Sequence, residues 1–305
     1  MRKKIIFLVI LSLFFLIKPS YAQEQQGISI TPSIEHLDLA LDAPEYELTY
    51  QNNTSFSITL NLSVKDFTEL EDSYKVNFLE GNDATNYKYS LSSWISFENN
   101  SLRLSPGEKK SVKVFIDKDR ITKGGHYASI LAEIVQEQEN KKINLKAILS
   151  SLLFVRASTG KEIEDGKISS FIPLRDNFDF PDTFRLRFEN FGNVHVIPYG
   201  LIEVFDPLGN LVAKGILNEG SLDALPESIR NYDTKIETLG KVLSPGIYTA
   251  KISLHFGKGN IKLYGESKFL SQGSFDFTKI ALLIILILVL YFIYKKKRIN
   301  IKNSQ

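Results

Sequence analysis

The residues with the widest chemical reach in this chain are its four histidines, His36, His126, His195 and His255. They stand far apart in sequence. No two have the i, i+4 spacing that sets a pair of imidazoles side by side on a helix to hold a metal. Neither a Gly-x-Ser-x-Gly elbow nor a phosphate-cradling glycine loop occurs. Cysteine is absent, which removes disulfides, thiolate ligands and a thiol nucleophile. Asp176, Asp179 and Asp182 share one turn with Asn177 and could offer oxygen ligands to Ca²⁺. The spacing is not that of an EF-hand, and a solvated acidic turn is the simpler reading. These residues predict a binding protein rather than an enzyme, with no cofactor and no metal.

The candidate ligand contacts are aromatic. His126 and Tyr127 follow Gly124-Gly125 at the entrance of an alternating stretch, and Tyr87 and Tyr89 lie in the polar segment Gly81 to Ser93, which reads as a long loop. Tyrosine offers a flat apolar face with a hydrogen-bonding tip, suited to a sugar ring or a peptide, and its competing role is packing. Trp94, the one tryptophan, sits among apolar strand residues and belongs to the core.

Strands must position all of these. Val112, Val114 and Ile116 alternate with Lys113; Ala128, Ile130, Ala132 and Ile134 alternate with Ser129 and Glu133; Ile58, Leu60, Leu62 and Val64 alternate with polar residues. Period 2 puts each apolar set on one face of a sheet. Further strands are expected at Ile28 to Pro32, with Pro32 at an edge, and at Tyr46 to Gln51, Tyr74 to Phe78, Trp94 to Phe97, Leu102 to Leu104 and Leu145 to Val155. Gly, Pro and Asn close them, as in an antiparallel sandwich. Past Ser158-Thr159-Gly160 the plan recurs. Phe184, Leu186 and Phe188 lead to the turn at Asn190, Ile202 and Val204 follow, and Ser244-Pro245-Gly246 opens Tyr248, Ala250, Ile252 and Leu254. Asn52 to Pro106 and Asn190 to Pro245 are nearly equal intervals, which points to two sandwiches of related design in tandem. The segment from Ser158 to Gly166 is expected to be a hinge open to proteases.

The 305 residues are 43% hydrophobic and 24% charged, enough for two sandwich domains. Arg2-Lys3-Lys4, the apolar run Ile5 to Ile17 and Ser20-Tyr21-Ala22 form a cleavable signal peptide over 1–22. Near the other end, Ile280 to Tyr294 is apolar and Lys295-Lys296-Lys297-Arg298 follows at once, the arrangement of a stop-transfer helix. The resulting expectation is all-β: immunoglobulin-like sandwiches at 23–157 and 158–274, one transmembrane α-helix at 275–294 and a basic cytoplasmic tail at 295–305. The ectodomain is net negative, which argues against nucleic acid.

Ile28-x-Ile30-x-Pro32, Lys65-Asp66-Phe67, Ser93-Trp94-Ile95, Leu104-Ser105-Pro106-Gly107-Glu108 and Gly124-Gly125-His126-Tyr127 occur in an order that resembles the N-terminal domain of bacterial WxL-interacting proteins. The match covers most of 27–157. It implies a single-pass cell-membrane protein with its ectodomain outside, whose first domain contacts peptidoglycan and whose partner is another surface protein. The alternatives are a structural spacer without its own ligand and, more remotely, a surface hydrolase.

Overall fold

The computed structural model describes residues 27–70, 75–136, 147–240, 244–273 and 281–292. Period-2 alternation produces strands throughout, and the chain is mostly β. The first ten strands are β1 (Ile28–Thr31), β2 (Ile34–Asp38), β3 (Glu45–Asn52), β4 (Ile58–Glu69), β5 (Val76–Phe78), β6 (Ile95–Phe97), β7 (Ser101–Leu104), β8 (Lys109–Ile116), β9 (Gly125–Gln136) and β10 (Ala147–Arg156). They form two sheets, ordered β1-β3-β8-β6 and β2-β10-β9-β4-β5, with β7 also on β4. Pro32 cannot continue a ladder. There the chain leaves the first sheet, and β2 starts in the other, running parallel to β10.

The facing sides of the two sheets carry the alternating apolar residues. Leu48 and Tyr50 on β3, Ile58 and Leu60 on β4, Val112 and Val114 on β8, and Ile130 and Ala132 on β9 meet in one buried cluster. Burying each large aliphatic side chain contributes about 1.5–3 kcal/mol, which is why register is held strictly here.

The remaining strands are β11 (Gly166–Leu174), β12 (Thr183–Asn190), β13 (Tyr199–Phe205), β14 (Leu211–Leu217), β15 (Ile229–Lys235), β16 (Glu237–Thr238), β17 (Gly246–Phe256) and β18 (Ile261–Ser271). Their sheets are β11-β12-β15 and β16-β14-β13-β17-β18. Phe184, Leu186, Phe188, Ile202, Val204, Tyr248 and Ile252 lie in the core between them.

The two Asn turns do the same work in both sandwiches. Asn52 is buried and its amide nitrogen donates to the carbonyls of Phe56, Leu104 and Ser105, while its oxygen accepts from Thr54. Asn190, equally buried, donates to the carbonyls of Val194 and Ala224 and accepts from the Gly192 amide. Each satisfies backbone groups that a turn beside a core would leave without partners.

Several expectations change. Gly81–Asn86 is a short helix rather than loop, and Trp94 ends a 3-10 turn, half-buried, with β6 starting at Ile95. Ser129 was expected on an outer face but is fully buried, as is everything from Gly124 to Ala132. At the Gly125–Tyr127 end the cover comes from outside the first sandwich, where Gly125 bonds the Asn193 carbonyl and Tyr127 the His195 amide. The linker is strapped down rather than open. Ile163 donates to the Asn193 side chain and its carbonyl accepts from the Asn193 amide, while Glu162 accepts from Thr159 and Gly160.

The expected membrane span is corrected as well. Residues 281–292 form a helix with every side chain exposed. That described stretch rises about 18 Å, against the roughly 30 Å of a hydrocarbon layer; the rest of the expected span, 275–280 and 293–294, lies outside the described residues. Among the described residues no helix is long and apolar enough to cross a membrane. The expected signal peptide over 1–22 and basic tail over 295–305 lie outside the described residues.

Candidate functional site

The second sandwich covers the start of β9, and the junction between them gathers several histidines and buried charged groups. Register builds its first wall. Phe154 on β10 lies directly opposite His36 on β2 and directly opposite Tyr127 on β9. Residues level with one another on neighbouring strands point to the same side, so the three rings form a row. The His36 and Phe154 rings stack with centroids 4.8 Å apart and planes 20° from parallel. Tyr127 meets Phe154 edge-on at 5.6 Å. Phe67 and Tyr89 complete this apolar wall, and Leu225 of the second sandwich seals it.

The opposing wall consists of two segments of the second sandwich, held together by a bridge between Val196 and Ala224. Gly124 and Gly125 let them approach. The Gly125 amide donates to the Asn193 carbonyl at 2.8 Å. A Cβ at Gly124, where φ is +99°, would sit 2.7 Å from that carbonyl oxygen, and one at Gly125 would sit 2.0 Å from the Tyr127 hydroxyl. Only glycine fits both places. Next along, the His195 amide donates to the Tyr127 hydroxyl at 2.7 Å, and His195 Nδ1 lies 3.3 Å from the same oxygen.

At the rim of the junction, His36 Nε2 lies 3.0 and 3.1 Å from the two carboxylate oxygens of Asp223. His36, His195 and Asp223 each offer one ligand atom, all within 4.8 Å of one another, and this is the one group of its kind among the described residues. The aspartates of the 176–182 turn do not gather in that way. Asp179 instead accepts from Gln272 at 2.7 Å.

Ion pairs frame the junction. Glu69 at the end of β4 pairs with Arg230 on β15, with side chains only 7% and 12% exposed. Arg156 pairs with Glu164 at 2.6 Å, Lys258 with Asp38, and Lys88 with Glu227. Burial raises the Glu69 pKa despite the opposing charge of Arg230. Burial likewise depresses His195 to about 4, leaving it neutral. For His36, burial acts downward, but the hydrogen bond and charge of Asp223 outweigh it and the pKa is raised.

The four residues expected to contact a ligand are placed in or behind this junction. Tyr127 is fully buried at its centre. Tyr89 is buried against Tyr127 and donates its hydroxyl to Glu227 of the second sandwich at 2.9 Å. Tyr87 is half-buried, edge-on to Tyr89. His126, 1% exposed, faces the other way and pins the preceding segment, with Nδ1 3.0 Å from the Ser90 carbonyl and its ring 4.6 Å from Trp94. Asp66 helps by accepting from the amides of Leu91 and Ser92. The rings that looked like displayed faces are thus turned inward. Sequence spacing gave no sign of His36, His195, Asp223, Glu69 or Arg230. One signal pointed to the junction: the run Leu152-Leu153-Phe154-Val155 is apolar on both faces, which requires a second covering layer.

A second feature lies at the far end of β10. The ladder with β2 covers Leu152 to Arg156 only, whereas the ladder with β9 runs from Ala147. Outer-edge groups of β10 can be identified because the Leu152 amide donates outward to the Ser33 carbonyl and the Arg156 carbonyl accepts from Leu39. By period 2, Ile148 and Ser150 also aim their amides and carbonyls outward. Ala147, Ile148 and Ser150 are exposed, Ile148 by 57%.

No protein-family model matches the chain, and no curated protein matches it. Among solved structures, similarity is found to a chain of a chaperone–tip adhesin complex of CFA/I fimbriae biogenesis, with 12% identity, 81% of this chain and 99% of that chain covered, and a TM-score of 0.40. The Pseudomonas aeruginosa CupB2 chaperone has 10% identity over 79% of this chain and 100% of its own, with a TM-score of 0.38. A structure of the Salmonella enterica SafA pilin with the SafB chaperone has 13% identity over 82% and 97%, with a TM-score of 0.38. Scores and identities of this size leave function to be argued from the chain's own geometry. The family expectation is corrected: no family model matches the chain, and the similar solved structures are described as pilus chaperones, not as WxL-interacting proteins. The peptidoglycan-binding function, the surface-protein partner and the single-pass cell-membrane location are corrected with that resemblance, and no spanning helix is found among the described residues.

Proposed function

We propose that the chain is a non-enzymatic, chaperone-like binding protein, two immunoglobulin-like sandwiches in tandem divided near Ser158, which holds an extended segment of a client polypeptide along the outer edge of β10. The observation that carries this reading is the stretch Ala147 to Ser151, whose outward backbone groups lie beyond the end of β2 and which bears no charge. An edge of that kind accepts a further strand through main-chain hydrogen bonds, with pockets for alternate side chains giving selectivity. Edges not meant to pair are blunted with charge. β18 is such an edge, showing exposed Lys262, Glu266 and Lys268. The locked junction fits this role, because it holds β10 at Phe154 and Arg156 as a rigid template.

The test is selection of random linear peptides on the immobilised full chain, followed by hydrogen exchange. Bound peptides should protect the amides of Ile148 and Ser150. Ser150→Pro, which deletes an outward donor without touching the ladder to β9, should abolish capture. Peptides that bind the variant equally, or that leave both amides unprotected, would refute the proposal.

A further inference from the structure

We propose that His36, His195 and Asp223 form a site for a divalent transition metal of the Zn²⁺ class, placed so that the ion ties the two sandwiches together. The three side chains come from β2, from the segment after β12 and from the segment before β15. Their ligand atoms nevertheless converge to within 4.8 Å. A tetrahedral set with bonds of about 2.1 Å spaces its donors about 3.4 Å apart. His36 and Asp223 are already at 3.0 Å, and bringing all three donors to tetrahedral spacing takes side-chain shifts of about 1–1.5 Å.

The donor set selects the ion. Two imidazoles and one carboxylate suit Zn²⁺ and its neighbours and leave a fourth position for water, whereas Mg²⁺ and Ca²⁺ require shells of oxygen. Asp223 adds an independent indication. It is 4% exposed, yet one nitrogen, His36 Nε2, is the sole hydrogen-bond donor to both carboxylate oxygens among the described residues. A buried carboxylate has capacity for several donors. A metal bond would fill that capacity.

Outer contacts already orient the ligands. His36 is stacked on Phe154. The Tyr127 hydroxyl sits 3.3 Å from His195 Nδ1, leaving Nε2 for the ion, the usual arrangement behind a metal-bound histidine. The His36 side chain is 39% exposed, so an ion can enter from solvent without opening the junction.

The experiment uses the full chain, stripped with chelator and titrated with Co²⁺ and then Zn²⁺. One equivalent of Co²⁺ should bind with the visible absorption of a tetrahedral site, and Zn²⁺ should displace it and raise the melting temperature. His36→Ala should weaken binding by more than the roughly 10- to 100-fold typical of an outer contact, and Tyr127→Phe by about 10-fold. His255→Ala, on β17 against Tyr199, should leave binding unchanged. The exposed His36 keeps the test independent of folding, which circular dichroism checks. Absence of the Co²⁺ band, or stoichiometric binding undiminished in His36→Ala, would overturn the site and leave the His36–Asp223 contact as a plain ion pair between the sandwiches.

Discussion

Arg230→Met is the sharpest test of the junction. Arg230 donates to Glu69 and to the Asp223 carbonyl, and both charged side chains are nearly out of solvent. Removing the guanidinium leaves Glu69 buried with the Ser228 hydroxyl at 3.1 Å as its remaining side-chain partner. Breaking a buried pair from one side costs about 3–5 kcal/mol, because the abandoned charge keeps its full desolvation penalty. In a unit of this size each kcal/mol lowers the melting temperature by about 2–4 °C, so the expected fall is roughly 6–20 °C. Replacing both partners, with Glu69→Leu added, should recover most of the loss, since apolar groups carry no such penalty. Acidity supplies a second check. The Glu69 pKa is raised, so its contribution to stability is full below its ordinary value and is lost as pH rises through the raised one. Without Arg230 the pKa climbs further, and the deficit of the variant should shrink as pH is lowered. Urea denaturation of parent, single and double variants across pH measures all of this. A single variant within about 0.5 kcal/mol of the parent, or a double variant as damaged as the single, would refute the reasoning.

Four further outcomes are expected. Leu62→Asp puts an unpaired charge in the core of the first sandwich, where Leu62 is 8% exposed, and should cost about 4 kcal/mol or more by denaturant titration. Asn52→Ala and Asn190→Ala should each cost about 1–3 kcal/mol through stranded carbonyls, and the double variant should be nearly additive because the sites lie in different sandwiches. Gly125→Ala drives a methyl into the Tyr127 hydroxyl and should loosen the junction, seen as faster proteolysis of the 158–166 linker with each sandwich still folded. Burial pushes the Glu164 carboxyl up, but the amides of Lys258 and Gly259 and the Arg156 guanidinium outweigh it and its pKa is lowered. That stability is present above about pH 4.5 and is lost as pH falls through the lowered value. Glu164→Gln should therefore flatten the acid limb of the melting curve.

What could be read from residue order was what depends on near neighbours. Alternation at Ile58 to Leu62, Val112 to Ile116 and Tyr248 to Leu254 specified strands and their inward faces, since a side chain's face on a strand is set by parity alone. Asn52 and Asn190 announced related turns, because an Asn side chain caps its own turn within a few residues. The junction was not legible in this way. His36 meets Asp223 across 187 positions, and Glu69 meets Arg230 across 161. Their proximity follows from how one sandwich docks on the other, which no local period encodes. Docking also reversed the meaning of local signals: Gly124-Gly125-His126-Tyr127 looked like a displayed turn and is the buried seam, and Ser129, outward by parity, is covered. Parity decides which way a side chain points on its strand, while only the tertiary structure decides whether water or a second sandwich waits there.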